Sequence, residues 1–427
     1  MKPFLRRVRR SHVLAFIVLL SLGPVSSLTA QTASQTRLLE ALQGNRLAIT
    51  MTLGRPAGPG WDFLVREAGD ARFTLIGEEH GVAETAQLSA ALFAALRPSG
   101  YSRLAVELSP PIAKDVEAAA RRNGLQGIVD FLGTPGVFTF YNMREETQFL
   151  ADVIKAAPTN ERTLWGFDRE IFSDRYLVAR LETKVPASAR EPFARLKEAQ
   201  VNAWAKYDRA PSGDNLFLLS GDPALVTAVR SAWRNADAES DAILRTLEES
   251  LAIEAAENAG GIWPYMQRRT KWMRDNVAAL LKDGQERKPA SKLMLKGGYF
   301  HMIRGANYLN FFDIGAMTEE VAALSGDRAF HILVLPGPGS RQAVPGAGRS
   351  FGSVSSDEYD ELRAGDQRLT RVLSNPNAAG HEVIDLRPLR RLAMRGLESW
   401  NADVIRTIHG YDAAVIWKGA TASSGLK

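Results

Sequence analysis

The sequence of 427 residues contains no cysteine. That excludes disulfides, a thiolate metal centre, a lipid-modified cysteine near the start and a cysteine nucleophile. No Gly-x-Ser-x-Gly elbow is read between a strand and a helix, and no His-Glu-x-x-His helix is present, so neither of these two hydrolase mechanisms is expected. There is no internal repeat, no coiled-coil heptad pattern, and no long apolar run beyond the first thirty residues. Histidine is scarce: six in all, and only His80, His301, His331, His381 and His409 lie past residue 30.

Those first thirty residues read as an export leader. MKPFLRRVRR is basic without an acid, Val13 to Leu22 is apolar, and SSLTA ends in the small residue Ala30. A basic start, a short apolar centre and a small cleavage residue form a secretory signal peptide, and the run is short for a permanent anchor. The formal charge of +5 is 53 Lys and Arg minus 48 Asp and Glu, and Lys2, Arg6, Arg7, Arg9 and Arg10 supply those five positives. Cleavage after Ala30 leaves a neutral chain with no basic patch, which gives no sign of a nucleic-acid partner. The expectation is an exported protein, periplasmic or secreted, with no stable membrane insertion after cleavage.

Seven short apolar runs end in Gly or charge and read as buried strands: 73–77, 103–108, 163–168, 292–298, 330–337, 382–386 and 413–419. Helical patterns separate most of them, as in 83–97, 145–156 and 269–282. The expected fold is α/β: a mainly parallel central sheet flanked by helices, with a helical insertion at about 187–260. A Gly-, Ser- and Pro-rich loop is expected at about 336–365.

Ligands of open parallel sheets bind outside the carboxyl ends of the strands. There the sequence places Glu78, Glu79 and His80 after the first run, Glu107 after the second, Asp168 after the third and His301 after the fourth. Both histidines follow a glycine by three residues (Gly77, Gly298), which predicts a sharp backbone turn toward a ligand. On a helix, Arg269, Met273, Asn276, Val277 and Leu280 share one face, which puts a guanidinium and an amide on the apolar side.

With these residues assembled, the chain resembles the erythromycin esterase family and the wider group that includes Tiki/TraB proteases and ChaN-type haem-binding lipoproteins. The resemblance rests on Gly77-Glu78-Glu79-His80-Gly81, on Glu107, on Gly166-Phe167-Asp168, on Arg269, Met273 and Asn276, on His301, and on the closing YDAAVIWKGATAS. One spacing departs: the esterase signature has two residues between Glu and His, and here there is one. The resemblance therefore leaves the branch, and a macrolide substrate, open.

It implies hydrolysis of an ester or lactone in a small-molecule substrate. His80 is the candidate general base, Glu78 or Glu107 orients its ring, and Arg269 or His301 stabilises the oxyanion; no metal or other cofactor is required. Glu79, Asp168 and Asn276 are expected to contact substrate. Two alternatives use the same rim. In one, His80, His301, Glu107 and Glu78 hold a divalent metal in a protease. In the other, a non-enzymatic protein binds haem or another small ligand, with Tyr299 or His301 as a haem donor.

Overall fold

The computed structural model describes residues 36–285, 292–342, 353–355, 373–375, 377–395 and 402–426. Eleven strands are found among them: β1 (Arg46–Thr52), β2 (Arg55–Ala57), β3 (Phe73–Glu78), β4 (Tyr101–Val106), β5 (Leu164–Gly166), β6 (Lys292–Gly298), β7 (Ala329–Pro336), β8 (Ser340–Gln342), β9 (Ser353–Ser355), β10 (His381–Asp385) and β11 (Ala413–Trp417). Nine form one sheet in the order β2-β1-β10-β11-β7-β3-β6-β4-β5. From β11 to β5 every pairing is parallel, whereas β1, β2, β10 and β11 pair antiparallel with one another. The expected α/β fold is thus borne out as a mixed sheet, with all seven predicted strands present and their ends shifted by up to two residues.

β1 and β2 were not legible in the sequence. RLAITMT lacks an apolar run because only Ile49 of β1 is fully buried. By contrast, all six residues of β3 are buried. A strand covered on both faces reads as a continuous apolar run, and one near a sheet edge does not.

Two layers of helices cover the sheet. On one face lie Ala83–Leu96, Pro110–Leu132 and Arg144–Ala156, joined by the helices within 174–260; on the other lie Ile262–Gln285, Ile314–Leu324 and Ala402–Gly410. The expected insertion is helical throughout: Arg190–Arg209, Phe217–Ser220, Pro223–Ala232 and Ala238–Gly260. Asp237 caps the last of these by accepting hydrogen bonds from the N–H groups of Glu239 and Ser240. No helix among the described residues is long and apolar enough to cross a membrane.

The leader, residues 1–30, lies outside the described residues, as does most of 336–365. The part of that loop that is described includes an antiparallel ribbon, β8 with β9, and not only loop. The letters of Gly348 to Gly352 do spell Gly-x-Ser-x-Gly, and they too lie outside the described residues.

Topology and register together build the site. The chain leaves β3 for β4, crossing β6, and leaves β6 for β7, crossing β3, so the two central strands send their following helices to opposite faces. A crevice opens at such a switch point. Glu78 is level with Gly298 across β3 and β6, and Val106 is level with Lys296 and with Gly166. The residues just past these positions therefore meet at one height.

Candidate functional site

Glu107 is the centre of that rim. Its Oε2 lies 3.2 Å from Nε2 of His80, and its Oε1 lies 3.6 Å from Nε2 of His301 and 3.4 Å from Nη2 of Arg269. The Gly298 N–H donates to Oε2 at 2.5 Å. The two histidines, far apart in sequence, thus face one carboxylate from either side. Burial favours the neutral acid, but His80, His301 and Arg269 outweigh it and hold Glu107 well below the usual carboxylate range.

His80 is bracketed by acids. Its Nδ1 lies 3.0 Å from Glu78 Oε1, opposite the Glu107 contact on Nε2. Burial disfavours the charged ring, yet Glu107 and Glu78 prevail and push the imidazole up to about 10. With both nitrogens facing carboxylates, the resting ring is an imidazolium. His80 is also the most open of this set, with its side chain 27% exposed against 2% for Glu78 and 3% for Glu107. Phe140 stacks on it at 5.8 Å between centroids.

Behind Glu78 stands a residue that the sequence reading missed. Lys296, in β6, is wholly buried, and its Nζ donates to Glu78 Oε1 at 2.6 Å and to both oxygens of Glu146 at 3.0 Å. Burial opposes the ammonium, but Glu146 and Glu78 hold its pKa above the ordinary lysine value. Burial alone would raise Glu78 as well, and Lys296 with His80 lowers it instead. Glu146 carries the excess: burial and Glu78 push it up to about 7 despite Lys296. The Oε2 of Glu78 is buried with no hydrogen-bond partner among the described residues.

His301 sits on the turn Tyr299–Met302 and is fixed by Asp313, whose Oδ2 lies 2.7 Å from its Nδ1. Burial opposes the charged ring, and Asp313 and Glu107 raise its pKa overall. Asp313, also missed, is the N-cap of Ile314–Leu324. Its one sequence signal was an acid directly before an apolar helical run.

The expected substrate contacts are engaged by protein. Arg269 donates to Asp168 at 2.7 and 3.2 Å, and Asn276 donates to the carbonyl of Phe167 at 3.1 Å. Both pairs tie helix Ile262–Gln285 to the end of β5, as the shared face of Arg269, Met273 and Asn276 required. Glu79 is buried 3.6 Å from Arg341 of β8. Tyr299, the other candidate haem donor, is packed in the core, its backbone carbonyl accepting from the Tyr411 hydroxyl.

Gly77 lies within β3, and Gly298 ends β6 and caps Tyr299–Met302; neither has a positive φ. Gly77 is needed because a Cβ there would stand 2.8 Å from the Tyr411 hydroxyl and 2.9 Å from Cα of Tyr299. The next glycine, Gly297, leaves room for Glu107 itself, whose Oε2 would lie 2.9 Å from a Cβ.

Lys296 and Arg269 are interleaved with the carboxylates and supply the positive charge that a metal would bring. Among the described residues, no group of three or more His, Cys, Asp or Glu side chains is arranged to hold an ion.

No family model and no curated protein matches this sequence. Solved structures match it in fold. A succinoglycan biosynthesis protein is 13% identical, covering 92% of this chain and 99% of its own, with a TM-score of 0.60. A protein from Bacillus cereus is 14% identical over the same shares, with a TM-score of 0.54. A mutant of erythromycin esterase EreC in its open conformation is 13% identical, covering 89% of this chain and 99% of its own, with a TM-score of 0.56. The fold anticipated from the strand-end motifs, that of the erythromycin esterases, is the fold of this chain.

Proposed function

We propose that the mature chain is an exported hydrolase in which water attacks an ester or lactone carbonyl beside His80. The observation that carries this reading is Glu107 lying between the Nε2 atoms of two histidines, with Arg269 on the same carboxylate. The leader-like first thirty residues support export.

The resting imidazolium cannot accept a proton; when Nε2 parts from Glu107 the ring's pKa falls, and the base is formed as the Nε2 proton leaves to solvent. Gly298, Arg269 and His301 remain to hold that carboxylate in place. His80 then keeps Glu78 on Nδ1, which fixes the ring and stabilises its charge when it takes the proton from water. Arg269 and His301 supply the positive donors for the oxyanion.

The test is a screen of the mature protein and its His80→Ala variant against esters, lactones and peptides, with and without a chelator. The expected result is chelator-resistant turnover of an ester or lactone that falls about 10²–10⁴-fold in the variant, with the circular dichroism spectrum unchanged. Full activity in His80→Ala refutes the assignment. Chelator-sensitive peptide cleavage replaces it with the metalloprotease reading.

A further inference from the structure

Lys296 stands one carboxylate away from His80. In β6, Leu293 and Leu295 pack into one helical layer, while Met294 packs into the other and Lys296, two residues on, reaches Glu146 of Arg144–Ala156 there. Across the sheet Ile76 of β3 is level with Lys296, and Glu78, two residues further, faces the same side. An aliphatic residue would suit KLMLKGG as a buried strand. A buried ion pair is seldom more stabilising than apolar residues of the same size, so stability alone does not account for an ammonium at this point.

All three Nζ protons have acceptors: Glu78 Oε1 at 2.6 Å, and the two oxygens of Glu146 at 3.0 Å each. The rings of Tyr141 and Phe149 flank Nζ at 5.6 and 5.3 Å. Glu146 lies in the first turn of Arg144–Ala156, which fixes the far end of the bridge. On Glu78 the same Oε1 meets both Lys296 and Nδ1 of His80, and Oε2 has no hydrogen-bond partner among the described residues. Lys296 and His80 together keep this carboxylate charged against burial. The Tyr141 phenol is held well above its ordinary range by burial, Glu146, Glu78 and Glu107, so it stays neutral and adds no countercharge. Once His80 gives up its proton, Lys296 is the cation of the two that remains on Glu78.

We propose that Lys296 is a positioning residue for the base: it holds Glu78 as a carboxylate that accepts the Nδ1 proton of His80, so that the neutral ring presents its Nε2 lone pair to water. Without the ammonium, the buried pair of Glu78 and His80 keeps one more proton. On the ring, that proton leaves an imidazolium. On Glu78, it makes the carboxyl a donor to Nδ1, and the ring proton moves to Nε2. In both forms Nε2 is blocked. This role rests on the hydrolase reading, whereas the hold of Lys296 on the pair can be measured without substrate.

Lys296→Met alone would leave Glu146 buried without its cation, so the test variant joins it to Glu146→Leu, which puts apolar side chains in place of the ion pair. The ammonium is the nearer of the two to Glu78, and its loss decides the sign. With 4-nitrophenyl acetate as substrate, kcat at pH 7 is expected to fall about 10–10²-fold and to recover as pH rises, while KM stays within about threefold. In a Glu78→Gln background the same two changes are expected to lower kcat less than about twofold, because the amide oxygen accepts from Nδ1 without a cation. Equal losses in the two backgrounds, or an equal loss at every pH, would mean that Lys296 is structural and would overturn the proposal. Ring ¹⁵N titration of His80 in Glu107→Gln needs no substrate: the pH at which Nε2 loses its proton should rise when the Lys296 and Glu146 changes are added. An unmoved titration also overturns the proposal. A moved titration in a protein that hydrolyses no ester sinks the hydrolase reading and leaves the hold of Lys296 on Glu78 standing.

Discussion

Glu107 serves four partners at once, and its removal separates their effects. In Glu107→Gln the backbone N–H of Gly298 and the rings of His80 and His301 keep a neighbour of the same size, but the charge that raises His80 most is gone. Glu78 remains on Nδ1, so the His80 pKa is expected to fall from about 10 toward the ordinary value. Ring ¹⁵N shifts in a pH titration read this directly; an unmoved titration refutes the pairing. In the wild type, the acid limb of kcat/KM reports the free enzyme and should lie well above that of kcat, because bound substrate parts Nε2 from Glu107. Coincident limbs would show that the contact does not open. Glu78, His80, Glu107, Asp168 and His301 were legible because each stands at the end of an apolar run, whereas Glu146 and Asp313 do not. Lys296 was not, because it sits inside one: KLMLKGG reads as a strand whose second lysine carries no sign of the two carboxylates that meet it.

At the level of elements, the central strands announce themselves and the periphery does not. β3, β4, β6, β7 and β11 are covered by helices on both faces, so burial writes itself into unbroken apolar letters. β1 mixes apolar with polar letters and β8 has no apolar residue, and their places depend on partners distant in sequence. The approach of β8 to the site depends on Gly81. This residue has φ 87°, its carbonyl accepts the Gln342 and Ser423 N–H groups at 2.8 and 2.9 Å, and a Cβ would lie 2.1 Å from the Gln342 carbonyl oxygen. Gly81→Ala therefore meets both left-handed strain and a collision with backbone. The strain alone costs about 1–2 kcal/mol, and moving β8 also draws Arg341 away from Glu79 and from the His80 carbonyl. A loss of about 2–4 kcal/mol in urea denaturation is expected, since incompatible glycine replacements cost more than the strain-free entropy gain. A change within about 0.5 kcal/mol would mean that β8 is not seated against Gly81.

Across the whole molecule, the buried charges set a pH dependence whose sign follows from the direction of each shift. Glu78, Glu107 and Asp412 are held below their ordinary values by Lys296, His80 and Arg304 among others, against the effect of burial. Their contribution is complete above about pH 4.5 and is lost as pH falls through their folded values. Glu146 and Asp174 go the other way, because burial pushes each up to about 7. Asp174 is shut inside the helical layer on Gln200 and Trp204 at 2.8 and 2.9 Å. For these two the folded state binds the proton more tightly, so stability declines as pH rises from about 4 to about 7 and levels off above. His80, raised to about 10, contributes fully below about 6.5 and loses its contribution on the way to 10, a loss that water screens because the ring is partly exposed. The sum places the maximum near pH 5, with a fall below 4 and a longer, shallower decline through neutrality to pH 10. Urea midpoints across pH 3 to 10 test it, and a plateau from pH 5 to 9 would contradict it. Glu146→Gln isolates one part: with that carboxyl gone, the slope between pH 4.5 and 7 should fall to the share of Asp174 while the decline from 7 to 10 persists, because the second belongs to His80.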